Sequence, residues 1–117
     1  MDELAKADGV TLAYETVSLM EEVLPGVPRL LRERRGLCPC RDGLAALRKK
    51  LLPADGVIAA SPVYVEDVSG TMKNWIDRMA YHCYRPAFAG KLAFVVITSG
   101  VGTTGRAAQT MATAMRL

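Results

Sequence analysis

Apolar residues along this 117-residue chain fall into two patterns. Val57 to Ala60, and Leu92 to Thr98 (Leu-Ala-Phe-Val-Val-Ile-Thr), are continuous apolar runs, the form taken by strands buried on both faces. Pro62, which has no N–H for a ladder, predicts the end of the first run. Elsewhere the spacing is helical. Leu44, Leu47 and Leu51, with Leu52 beside them, stripe a helix that Asp42 can cap and that Pro53 and Gly56 close. Met72, Trp75, Ile76, Met79 and Ala80, at i, i+3, i+4, i+7 and i+8, stripe another that Ser69 can cap. Met1 to Asp8 predicts the last turns of a helix ended by Gly9, and Val10 to Leu19 alternates imperfectly as a strand would. Pro25, Gly26 and Pro28 break the chain into loop, and Arg106 to Leu117 predicts a last helix after the loop Ser99 to Gly105. Helices alternating with strands imply right-handed crossovers and a parallel sheet covered on both faces. Ligands of such sheets sit outside the C-terminal ends of the strands, which singles out Ser61 to Gly70.

The stretch Ala54-Asp55-Gly56-Val57-Ile58-Ala59-Ala60-Ser61-Pro62-Val63-Tyr64, followed by Ser69-Gly70-Thr71-Met72-Lys73-Asn74-Trp75-Ile76-Asp77-Arg78, carries a family resemblance. It resembles the A-D-G-I-I-x-x-S-P-V-Y strand and loop, and the S-G-x-x-K-x-x-I-D-R helix, of flavodoxin-like NAD(P)H-dependent FMN reductases and the related iron-sulfur flavoproteins. The agreement is closest from Leu52 to Arg78 and looser over the rest of the chain. The resemblance implies a flavodoxin-like three-layer α/β/α fold with a parallel sheet of order 2-1-3-4-5, residues 1–117 forming a single domain. The three strands visible here would be the second, third and fourth. It further implies FMN as cofactor, NAD(P)H as co-substrate and a homo-oligomer. Ser61, Pro62, Val63, Tyr64 and Val65 would border the flavin ring from one loop, and Ser99, Gly100, Val101 and Gly102 from the next. Hydride transfer to the flavin needs a positioned nicotinamide and no protein acid or base, so no catalytic side chain is assigned.

The family's first strand, its phosphate-cradling loop and its fifth strand have no counterpart, so the chain reads as a member trimmed at both ends. Weak FMN binding and self-association are the expected results. A second reading is a non-catalytic remnant that associates through the Tyr64 loop and the Trp75 helix.

Composition narrows the field. An apolar content of 50% suits one domain that buries roughly two thirds of its unfolded surface. No apolar stretch of ~20 residues is present to span a bilayer, so no membrane partner is expected. Three cysteines, an odd number, make no disulfide framework, and a reducing cytoplasm is the expected setting. The net charge of +3 hides a segregation: residues 1–22 hold six acidic groups against Lys6, and residues 29–50 hold eight basic groups against Glu33 and Asp42. That basic stretch offers a third reading, a nucleic-acid binder, yet it contains no aromatic residue for base stacking, and no specific nucleic-acid partner is expected. Cys38-Pro39-Cys40 suggests a metal. By the resemblance, however, an iron-sulfur cluster would need further cysteines where Gly26, Arg29 and Arg32 stand, so neither a cluster nor another metal is expected. His82 and Cys83 suit packing or surface roles.

Overall fold

The two apolar runs lie side by side as parallel strands. A computed structural model describes residues 13–21, 24, 42–80 and 89–116. In chain order these form α1 (Leu44–Leu51), β1 (Gly56–Tyr64), β2 (Asp67–Val68), α2 (Gly70–Met79), β3 (Leu92–Thr98) and α3 (Gly105–Ala114). The sheet order is β2-β1-β3. β1 and β3 run parallel, in register from Gly56 beside Leu92 to Pro62 beside Thr98, and β2 folds back antiparallel on the end of β1. This is an α/β unit with a mostly parallel sheet, part of a flavodoxin-like fold.

Each helix begins where its sequence permits. The Ser69 hydroxyl accepts the Met72 N–H at 3.2 Å, satisfying one of the donors that every helix start leaves free. Asp42 Oδ1 does the same for the Leu44 N–H at 3.1 Å, although Gly43 stands between Asp42 and α1. Arg48, Lys49 and Lys50 fill the last turn of α1, where the carbonyl ends favour cations. Lys91 Nζ reaches back to the Leu52 carbonyl at 2.8 Å and to that of Ala54, and so ties the exit of α1 to the entrance of β3. At that entrance a Cβ on Gly56 would stand 3.2 Å from the Leu92 carbonyl oxygen, which explains glycine at the first paired position.

All three helices feed one core. Leu44 and Leu47 of α1, Met72, Trp75 and Met79 of α2, and Ala107 and Met111 of α3 cluster with Ala59 and Val68, and half-buried Val57, Val63, Val95 and Ile97 pack against them. These strand residues share one face of the sheet, since side chains alternate along a strand. Among the described residues nothing covers the opposite face: Ile58 is 62% exposed and Phe94, its neighbour in register, 64%, with Leu92 and Val96 exposed beside them. The described residues thus supply two of the three expected layers, and Val57 to Ala60 is buried on one face only.

Two local expectations differ from the structure. Pro62 does not end β1. It is the last residue paired with β3, after which Val63 and Tyr64 continue along the other edge with β2. A proline is tolerated where the ladder changes edge, because no donor is needed there. The described part of Val10 to Leu19, residues 13–19, is irregular and not a strand. Its apolar positions are used differently: Val17 and Leu19 pack onto the helical core. The helix expected at Met1 to Asp8, most of the basic stretch, and Cys38, Cys40, His82 and Cys83 lie outside the described residues. Among the described residues no helix is long and apolar enough to cross a membrane.

Candidate functional site

The loops that follow β1 and β3 start side by side. Pro62 and Thr98 are register partners on adjacent strands, about 4.8 Å apart in a sheet, so residues 63–69 and 99–104 leave the same end of the sheet together. This is the C-terminal end of both strands, the position where open parallel sheets hold ligands.

The first loop is a tight hairpin. Tyr64 faces Asp67 across the ladder, leaving Val65 and Glu66 as a two-residue connection with φ of +51° and +65°. Two successive positive φ values are the mark of the turn that matches strand twist, usually built from Asn-Gly. Here a β-branched valine occupies the first position, a conformation that bulky L-residues seldom adopt. Beneath the hairpin, Ser61 is 3% exposed; its hydroxyl accepts the Ser69 N–H at 3.1 Å and donates to the Pro62 carbonyl at 3.0 Å. Asp67 Oδ1 accepts the Val68 N–H at 2.8 Å.

The second loop is open. Gly102 has φ of +108°, Gly100 and Gly102 have free space where a Cβ would project, and the Ser99 hydroxyl donates to the Val101 carbonyl at 3.1 Å. Val101, like Val65, is 96% exposed.

The nine residues proposed from sequence therefore separate by orientation. Pro62, Tyr64 and Val65 are exposed on the first loop, and Ser99, Gly100, Val101 and Gly102 on the second. Ser61 and Val63 point the other way, Ser61 into the fold and Val63 against the core. The strand parity that separates them was available from the sequence. Glu66, the second residue of the tip, was not singled out, because Val-Glu carries none of the glycine or asparagine that ordinarily announces such a turn.

The exposed set is apolar and aromatic, with glycine backbone that permits close approach, and neither loop holds a lysine or arginine. Such a surface suits the flat face of an aromatic ring system and not a phosphate. Groups of three or more His, Cys, Asp or Glu that could hold a metal ion do not occur among the described residues.

Away from the loops, α2 carries two ion pairs of different kinds. Lys73 and Asp77 pair across one turn on the surface. Arg78 turns inward, and its Nη1 lies 2.8 Å from Oδ2 of Asp42, with the side chains 0% and 7% exposed. A third pair, Lys50 with Glu15 at 2.7 Å, is exposed and contributes at most about 1 kcal/mol.

The chain has relatives among known proteins. The family model described as NADPH-dependent FMN reductase matches residues 1–116. An iron-sulfur flavoprotein of Archaeoglobus fulgidus is 41% identical over 69 residues, 58% of this chain and 31% of that protein. An iron-sulfur flavoprotein of Methanocaldococcus jannaschii is 37% identical over 65 residues, 55% of this chain and 34% of that protein. These matches span about a third of each relative's length.

Proposed function

Because this chain belongs to the NADPH-dependent FMN reductase family, we propose that it is a flavoprotein of the oxidoreductase class, with FMN seated against residues 62–65 and 99–102. The observation that supports this most directly is the pairing of two apolar, glycine-bearing loops at the C-terminal end of adjacent parallel strands. Bound FMN would supply the hydride-accepting ring, and NAD(P)H would be the donor. The protein's own part would be positional: Pro62, Tyr64 and Val65 would border the ring from the first loop, and the Ser99–Gly102 backbone from the second. No protein proton donor is needed for hydride transfer. The cysteine spacing supports a flavin-only protein without an iron-sulfur cluster, and the bare sheet face supports a homo-oligomer. A cytoplasmic setting and a single domain over 1–117 complete the proposal.

Titration of FMN, followed by its fluorescence, tests the site. Saturable quenching is expected, with riboflavin binding within about threefold of FMN, since the loops hold the ring and carry no basic group for the phosphate. Gly102→Val should weaken FMN about tenfold, because valine at φ of +108° costs on the order of 1–3 kcal/mol and displaces the loop. Unaltered affinity would remove the second loop from the site.

A further inference from the structure

The hairpin tip and the buried serine beneath it belong to one device. Ser61 is the next-to-last residue of the β1–β3 ladder, and Ser69 caps α2; the bond from the Ser69 N–H to the Ser61 hydroxyl joins them at 3.1 Å and closes the loop at its base. With the base closed, residues 67 and 68 are laid against 64 and 63, and the chain has only Val65 and Glu66 in which to reverse. The type I′ form of a two-residue reversal, which matches native strand twist, has φ above zero at both positions, and Val65 and Glu66 adopt it. The left-handed conformation of Val65 and Glu66 is thus imposed from below, against the preference of both residue types. Strain of this kind persists only where surrounding structure determines it, and here it lies at the tip of the loop that borders the ligand site.

We infer that Ser61 is a positioning residue: its buried hydroxyl holds the Val65–Glu66 turn in the strained conformation that presents Tyr64 and Val65 to the flavin. This rests on the flavin reading of the site. The hydroxyl itself points into the fold, where it is bonded to the backbone of Pro62 and Ser69. Its effect on binding travels through the hairpin, whose tip is fixed before the ligand arrives, so that no ordering cost remains at binding.

A double-mutant cycle of Ser61→Ala and Val65→Asn decides the matter, with urea unfolding and FMN affinity as readouts. Asparagine tolerates the left-handed region, so with Ser61 present Val65→Asn should lower the unfolding constant about fivefold. In the Ser61→Ala background the turn is free to relax, and the same substitution should change the constant less than twofold. Equal gains in both backgrounds would overturn the inference, because the turn would then hold its shape without Ser61. In protein that is fully folded at the assay temperature, Ser61→Ala should weaken FMN about tenfold; unchanged affinity would overturn the positioning role. Ser61→Cys, which keeps the volume and weakens both hydrogen bonds, replaces Ser61→Ala if the latter does not fold. Should the wild-type chain bind no FMN, the flavin reading falls and the ligand half of this inference with it. The unfolding cycle would still decide whether Ser61 sets the turn.

Discussion

Arg78→Met is expected to destabilise the protein by about 3–5 kcal/mol, read from urea unfolding, because it strands the carboxylate of Asp42 in a site that is 7% exposed. The pair joins α2 to the residues just ahead of α1, and both side chains have left water to form it. The attraction between them largely offsets that desolvation. What is costly is one charge without the other. Asp42→Asn combined with Arg78→Met should therefore recover most of the loss, since asparagine retains the oxygen that accepts the Leu44 N–H and carries no charge. If the single and double replacements are equally unstable, the burial of the pair is not what the arginine contributes. Lys73→Ala provides the contrast: its partner Asp77 is exposed on the same helix, and a change below about 0.5 kcal/mol is expected.

Trp75→Ala is expected to cost a further amount of the same order, about 3–5 kcal/mol. The indole is 4% exposed and belongs to the cluster in which α1, α2 and α3 meet over the sheet. Removing it leaves a cavity that three separate elements would have to collapse into, and neighbouring Met72 and Met79 are the side chains flexible enough to fill part of it. A loss under about 1 kcal/mol in chemical denaturation would mean that the helical layer repacks freely. The core would then be looser than its buried residues indicate.

Most of the local structure was legible in the sequence, and the departures have separate causes. β3 was readable as Leu92 to Thr98 because seven residues without a charge or breaker admit little else at that length. The stripes of α1 and α2, and the capping role of Ser69, followed from spacing and side-chain chemistry alone. A continuous apolar run, however, does not reveal whether both faces are covered. Ile58 and Phe94 look the same in sequence whether helices lie over them or not, and they are exposed. Pro62 was misjudged because the rule against proline in a ladder depends on which edge is paired, a tertiary fact. The partner of Arg78 could not be read locally, since Asp42 precedes it by a whole helix and strand. At the site, the loops were located by the end of the sheet they leave. The strained turn was hidden because Val-Glu gives no turn signal.

The one-sided sheet has a calorimetric consequence. Heat-capacity change on unfolding tracks the apolar area newly hydrated, at about 12–15 cal/mol/K per residue for ordinary domains. Ile58, Leu92, Phe94 and Val96 already meet water in the folded protomer and add little to that increment when it unfolds. The protomer should therefore show a flatter stability curve than a domain of its length packed on both sides, with its enthalpy of unfolding changing less steeply between cold and warm conditions. Assembly that covers this face would restore the missing increment, so a heat-capacity change that grows with protein concentration would report association that buries apolar surface.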